Sequence, residues 1–157
     1  MLNVKWKTMS NEPIIITQRF AASKTTLFKA WIDESALKVW WQPAGKKLSS
    51  VENSLEEGGK VTYTFEPDGE DDTRLVIEGE YQEVKPEQKL VYTWNWILDG
   101  TALENGNYLL TVEFNEIDGE AELTIHQESE SEVEGIHPHK EGWEDALKSL
   151  ESYLTKQ

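Results

Sequence analysis

Cysteine is absent from this 157-residue chain. That excludes disulfides, thiolate nucleophiles and cysteine-bound zinc together, and it suits a reducing compartment. Basic charge is scarce as well: 15 Lys and Arg stand against 30 Asp and Glu, a formal net charge of −15. Such a surface repels phosphate backbones and anionic lipid, so neither nucleic acid nor a membrane is an expected partner. Its plainest effect is to keep a small protein in solution. Long apolar runs are missing too. Nothing nears the roughly 20 residues of a membrane span, and Met1-Leu2-Asn3-Val4-Lys5-Trp6-Lys7 has no signal-like apolar core. A cytoplasmic location is the expectation.

What is present is aromatic. Hydrophobic residues make up 38% and aromatics 10%, with seven Trp. The length suits one domain, burying about two-thirds of the surface its unfolded form exposes. Residues 1–11 read as an unpatterned leader, and 12–157 as a single domain. After Pro13, the β-branched run Ile14 to Phe20 predicts a strand. Ser23 offers an N-cap for a helix over Lys24 to Ile32. Asp33-Glu34-Ser35 restarts the chain into a second short helix, Ala36 to Trp41, ended by Pro43 and Gly45.

From there to about residue 127 the pattern is strand after strand. Val61, Tyr63 and Phe65 alternate with threonines, and Pro67-Asp68-Gly69 reads as a turn. Leu75, Ile77 and Tyr81 share one parity around Gly79, and Tyr92, Trp94 and Trp96 share another. Asp99-Gly100, Asn105-Gly106 and Asp118-Gly119 read as turns. Between the last two, Tyr108, Leu110, Val112 and Phe114 alternate cleanly; Leu123 and Ile125 then continue one face. A slip of one residue would turn each set to water, so the register is strongly specified. Short connections imply an antiparallel meander. Glu128 to Gly135 is an acidic, turn-like stretch. From Pro138 to Lys156, Trp143, Leu147, Leu150 and Leu154 step by four, three and four, the stripe of an amphipathic helix roughly 28 Å long.

This order is an α+β pattern: a curved antiparallel sheet wrapped on a long C-terminal helix, with two short helices after the first strand. The inward rings can line a gap between sheet and helix. Candidates are Tyr63, Phe65 and Ile77 on early strands, Tyr92, Trp94 and Trp96 on the middle one, and Tyr108 and Phe114 beyond it. Trp31, Trp40 and Trp41 join them from the helical pair, and Trp143 and Leu147 from the last helix. Any single ring is more readily a core residue; the cavity reading rests on so many sharing one parity. Arg19, Tyr63 and the indole nitrogens are candidates to orient a ligand.

Chemistry leaves fainter marks. His137-Pro138-His139 lacks a third ligand, so no metal site is expected. His126 has the parity opposite to Leu123 and Ile125, which turns it outward. There is no Gly-x-Ser-x-Gly, and Glu57-Gly58-Gly59-Lys60 lacks phosphate-loop spacing. No catalytic residue and no cofactor can be assigned, and binding is expected ahead of catalysis.

Four motifs in order resemble the family named for the activator of the heat-shock-protein-90 ATPase, in the START-like (SRPBCC) superfamily. They are Leu27-Phe28-Lys29-Ala30-Trp31 with Leu37, Trp40-Trp41 and Pro43; Glu57-Gly58-Gly59; Gly79-Glu80-Tyr81 with Pro86 to Trp94; and Gly142-Trp143 with Leu147 and Leu150. Two departures stand out: Ala22-Ser23 where the family often has Ala-Pro, and Asn53-Ser54-Leu55-Glu56 ahead of Glu57-Gly58-Gly59, where it often has Asp or Arg. The resemblance implies a helix-grip fold with a hydrophobic cavity. With the ring-rich inward face and no catalytic groups, the expectation is binding of a small lipid-like or aromatic ligand, in a stress response. The alternatives are a chaperone-partner module and, behind it, a cyclase-like enzyme.

Overall fold

The computed structural model describes residues 13–42, 47–67, 74–129 and 140–156. Strand β1, Ile14–Phe20, is followed by two helices, α1 at Lys24–Ile32 and α2 at Glu34–Trp40. Six further strands follow: β2 (Leu48–Asn53), β3 (Lys60–Phe65), β4 (Leu75–Lys85), β5 (Lys89–Leu98), β6 (Thr101–Ile117) and β7 (Glu120–Ser129). Helix α3, Lys140–Thr155, comes last. The leader, Pro43, Gly45, Asp68-Gly69 and His137-Pro138-His139 lie outside the described residues.

The helical pair turns on two side chains. The Ser23 hydroxyl accepts from the Thr26 amide at 3.0 Å and caps α1. Asp33 does two jobs: its amide bonds back to the Lys29 carbonyl to close α1, and its carboxylate accepts from the Ala36 amide at 3.1 Å to open α2. A capping side chain of this kind contributes about 1 kcal/mol. The second helix therefore begins at Glu34, two residues before the apolar pattern suggests.

All seven strands form one curved antiparallel sheet in the order β1-β7-β6-β5-β4-β3-β2. Strands β2 to β7 are the expected meander. Strand β1 instead pairs with β7 at the far edge, so the two helices carry the chain from one edge of the sheet to the other. Asp99-Gly100 and Asp118-Gly119 are tight turns with both residues at positive φ, 51° and 81° in the first, 53° and 83° in the second. That twist matches the flanking strands.

Asn105-Gly106 is not a turn. Both lie within β6, which pairs with β5 on either side of them: Asn107 faces Asn95 and Ala102 faces Ile97. The register shifts between Asn95 and Ile97, and pairing with the same strand resumes beyond the shift. Strand β7 runs on through Ser129, so Glu128 and Ser129 of the expected acidic turn-like stretch are strand, and the rest of it lies outside the described residues.

Two glycines of the recognised motifs have steric reasons. A Cβ on Gly79 would lie 1.8 Å from the Thr93 carbonyl oxygen of β5, and one on Gly59 would lie 2.1 Å from the Ser54 carbonyl oxygen. Gly59 and Gly58 also join β4 directly: the Gly59 carbonyl accepts from the Tyr81 amide, and the Gly58 amide donates to the Tyr81 carbonyl. The Gly-Gly opening is a close backbone crossing.

Helix α3 packs on α1, α2 and β1. Its stripe of Trp143, Leu147, Leu150 and Leu154 is buried, as the four-three-four spacing requires. Burying each such side chain stabilises by roughly 1.5–3 kcal/mol. No helix among the described residues is long and apolar enough to cross a membrane.

Candidate functional site

Period-two alternation sends the aromatic residues of the strands to one side, and they meet the helices there. All thirteen candidates are buried: Tyr63, Phe65, Ile77, Tyr92, Trp94, Trp96, Tyr108 and Phe114 from the sheet, Trp31, Trp40 and Trp41 from α1 and α2, Trp143 and Leu147 from α3. Seven of them enclose a chamber: Trp31, Trp40, Trp41, Tyr63, Tyr92, Trp94 and Trp143. Leu37 of α2 closes it, a residue quoted only for the family motif in the sequence. The other six do not line it, though two of them touch its walls: Phe65 lies edge-on to Trp41 at 5.4 Å, and Phe114 edge-on to Trp31 at 6.3 Å.

The chamber is much smaller than the shared parity suggests. Its free volume is about 10 Å³, at the lower limit for one water molecule. Rings that meet edge-on or tilted interlock rather than stand apart. Trp94 leans on Trp41 at 5.3 Å and 42°, and on Trp143 at 5.5 Å and 31°. Trp31 stacks on Trp143 at 6.1 Å and 11°.

Most polar tips are satisfied. The Trp31 Nε1–H donates to the Tyr92 hydroxyl at 3.0 Å, and the Trp40 Nε1–H to the Ala30 carbonyl at 2.9 Å. The Trp143 Nε1–H donates to Gln127 Oε1 at 2.8 Å. Gln127 is the one buried polar residue among those described. It sits on β7 with the inward parity of Leu123 and Ile125, which is the signal that could have found it. The Tyr81 hydroxyl donates to Asn53 Oδ1 at 2.9 Å.

The Trp94 Nε1–H is buried beside the Tyr92 hydroxyl and acts on it as a third hydrogen-bonding neighbour, with Trp31 and Tyr63, though not in good hydrogen-bond geometry.

The ionisable groups around the chamber are tyrosines, and burial is the main influence on each. It pushes Tyr92 up to about 12, with hydrogen bonds from Trp31, Tyr63 and Trp94 holding it back. It also raises Tyr63, aided by neighbouring Tyr92, and Tyr81. All three are therefore neutral hydrogen-bonding groups at physiological pH.

Arg19 does not reach the chamber. It shares the exposed parity of Ile15 and Thr17 and pairs with Glu122 at 4.0 Å on the outer face. His126 also has the outer parity, half-buried, opposite Ile15 and Thr111. Among the described residues no group of three or more His, Asp or Glu could hold a metal. A larger hollow, about 560 Å³, lies on the surface beside α1, α2 and Tyr153. Its walls include the exposed Thr26, Lys29 and Asp33.

Several solved structures share this architecture. A solution structure from Arthrobacter aurescens superposes with a TM-score of 0.77 at 21% identity, covering 92% of this chain and 87% of that one. A crystal structure from Rhodobacter sphaeroides gives 0.76 at 16% identity, covering 94% and 93%. One from Mycobacterium smegmatis gives 0.73 at 23% identity, covering 92% and 91%. At such identities the likeness concerns the fold alone. No match emerges among curated proteins. The family described as "Activator of Hsp90 ATPase homolog 1-like protein" matches residues 21–155, nearly the full length. With the aromatic helical pair, the Gly-Gly crossing and the Trp-led last helix each in place, this chain belongs to that family.

Proposed function

We propose that this protein binds a small hydrophobic ligand between the sheet and α3. The observation that carries the reading is the convergence of seven aromatic residues from α1, α2, β3, β5 and α3 on one point. Apolar surroundings with a few polar tips are the usual chemistry of small-molecule sites. Since the chamber is nearly closed, uptake requires Trp41, Trp94 and Trp143 to part.

The family's name points to chaperone contact as a second reading. Among the described large apolar residues only Ile15 and Val39 are exposed, on β1 and α2 respectively. Two such isolated residues do not make a docking patch, so ligand binding is favoured. A titration of fatty alcohols and one- and two-ring aromatics tests it. Amide resonances around Trp94 and along α3 should move with saturation, and a panel that leaves them all unmoved refutes the reading. Stimulation of a chaperone ATPase by the full chain would support the second reading instead.

A further inference from the structure

We infer that the surface hollow between α1, the start of α2 and Tyr153 of α3 binds a small zwitterion with an apolar body, of the kind a free neutral amino acid presents. This site is separate from the aromatic chamber, and it stands whether or not the chamber takes a ligand.

The hollow has the room that the chamber lacks. Its volume is about 560 Å³, inside the range of about 300–1,000 Å³ usual for small-molecule sites. Helix α1 supplies Thr26, Lys29, Ala30 and Asp33, spaced i, i+3, i+4 and i+7, so they share one face. Ile32, Ala36 of α2 and the half-buried Tyr153 of α3 complete the wall. The floor is apolar: Ala30 is 3% exposed and Ala36 2%. Methyl side chains at those two positions fill little of the space where the three helices meet.

The two charges on this wall do not neutralise one another. Lys29 and Asp33 stand i, i+4, the spacing at which opposite charges on a helix commonly pair. Among the described residues, however, the ion pairs are others: Arg19 with Glu122, Lys38 with Glu34, and Lys85 and Lys89 with Glu83. Capping supplies the reason. The Asp33 carboxylate accepts from the Ala36 amide through Oδ2 at 3.1 Å, which commits it toward α2 rather than toward Lys29. A cation and an anion thus stand apart beside an apolar floor. A lone anion entering there would meet Asp33 and the net charge of −15; a lone cation would meet Lys29. A molecule carrying both signs answers both, and its hydrocarbon part covers Ala30, Ile32 and the Tyr153 ring.

Leucine, isopentylamine and isocaproate are the probes: one apolar body carrying both charges, the cation alone or the anion alone. Each is added at neutral pH to the full chain and followed by amide NMR. Leucine should move the resonances of Lys29, Asp33 and Ala36 to saturation and leave Trp94 unmoved. It should bind roughly two- to fivefold more tightly than either single-charge probe, the worth of one exposed ion pair. That margin should shrink at high salt. Lys29→Gln should erase the margin over isopentylamine. Asp33→Asn keeps a capping acceptor and should erase the margin over isocaproate. A single-charge probe that binds as tightly as leucine, margins that survive both substitutions, or no saturable shift around α1 would each overturn the inference. Where Asp33→Asn does not fold, Lys29→Gln, at an exposed position, decides alone.

Discussion

Gln127→Leu removes the acceptor that ties α3 to the sheet. The 2.8 Å bond from Trp143 Nε1 is buried, with both residues 3% exposed. Losing a neutral hydrogen bond costs about 0.5–1.5 kcal/mol net, and stranding the indole N–H adds a desolvation penalty of about 1–3 kcal/mol. We expect a loss of about 2–3 kcal/mol. At about 2–4 °C per kcal/mol for a chain of this size, the Tm should fall by roughly 4–12 °C. Trp143→Phe keeps an aromatic ring beside Trp31 and Trp94 and strands less, because Gln127 has other interactions. The double substitution leaves no stranded indole. It should cost less than the sum of the two single changes by about 1–2 kcal/mol. Urea unfolding of the four proteins closes the cycle, read at a common m-value. Additivity within about 0.5 kcal/mol would refute the coupling of Trp143 to Gln127, since uncoupled sites behave that way.

Leu37→Ala should destabilise by about 2–5 kcal/mol. It should also tighten binding of toluene, because Leu37 lines the chamber and its removal adds space there; weaker binding would argue against the chamber as the site. Tyr92 makes the fold sensitive to alkali. Its folded value of about 12 lies above the unfolded value near 10, so stability is fully present below pH 10 and declines as the unfolded chain deprotonates first. Tyr92 alone accounts for about 3 kcal/mol lost between about pH 10 and 12, and a Tyr92→Phe variant should flatten that part of the stability curve. Gly79→Ala puts a Cβ against the Thr93 backbone, where overpacking costs at least about 1–3 kcal/mol. An unchanged unfolding midpoint would show that the close approach is not obligatory.

The outline of the fold was legible from the chain because strand and helix periodicities are local. Tyr63, Trp94, Phe114 and Leu123 had to share one side once their neighbours alternated, and Trp143 to Leu154 had to form one stripe. The same alternation puts Arg19 with Ile15 and Thr17 on the outer face, so it cannot orient a ligand in the chamber. Turn chemistry was less dependable. Asp99-Gly100 and Asn105-Gly106 look alike in sequence, but only the first reverses the chain, because pairing of β6 with β5 resumes beyond the second.

What tertiary structure alone decided is how the parts meet. Strand β1 pairs with β7 rather than β2, a choice made by the path of two helices across the sheet. Leu37 and Gln127 join the site because packing brings α2, β7 and α3 to the same rings. Parity states which side a ring takes but not how it tilts there. Angles of 31° and 42° between indoles from separate elements decide whether an aromatic interior holds a cavity or closes to the volume of about one water. Those angles follow from contacts between residues as far apart as Trp41 and Trp143, beyond the reach of any local pattern.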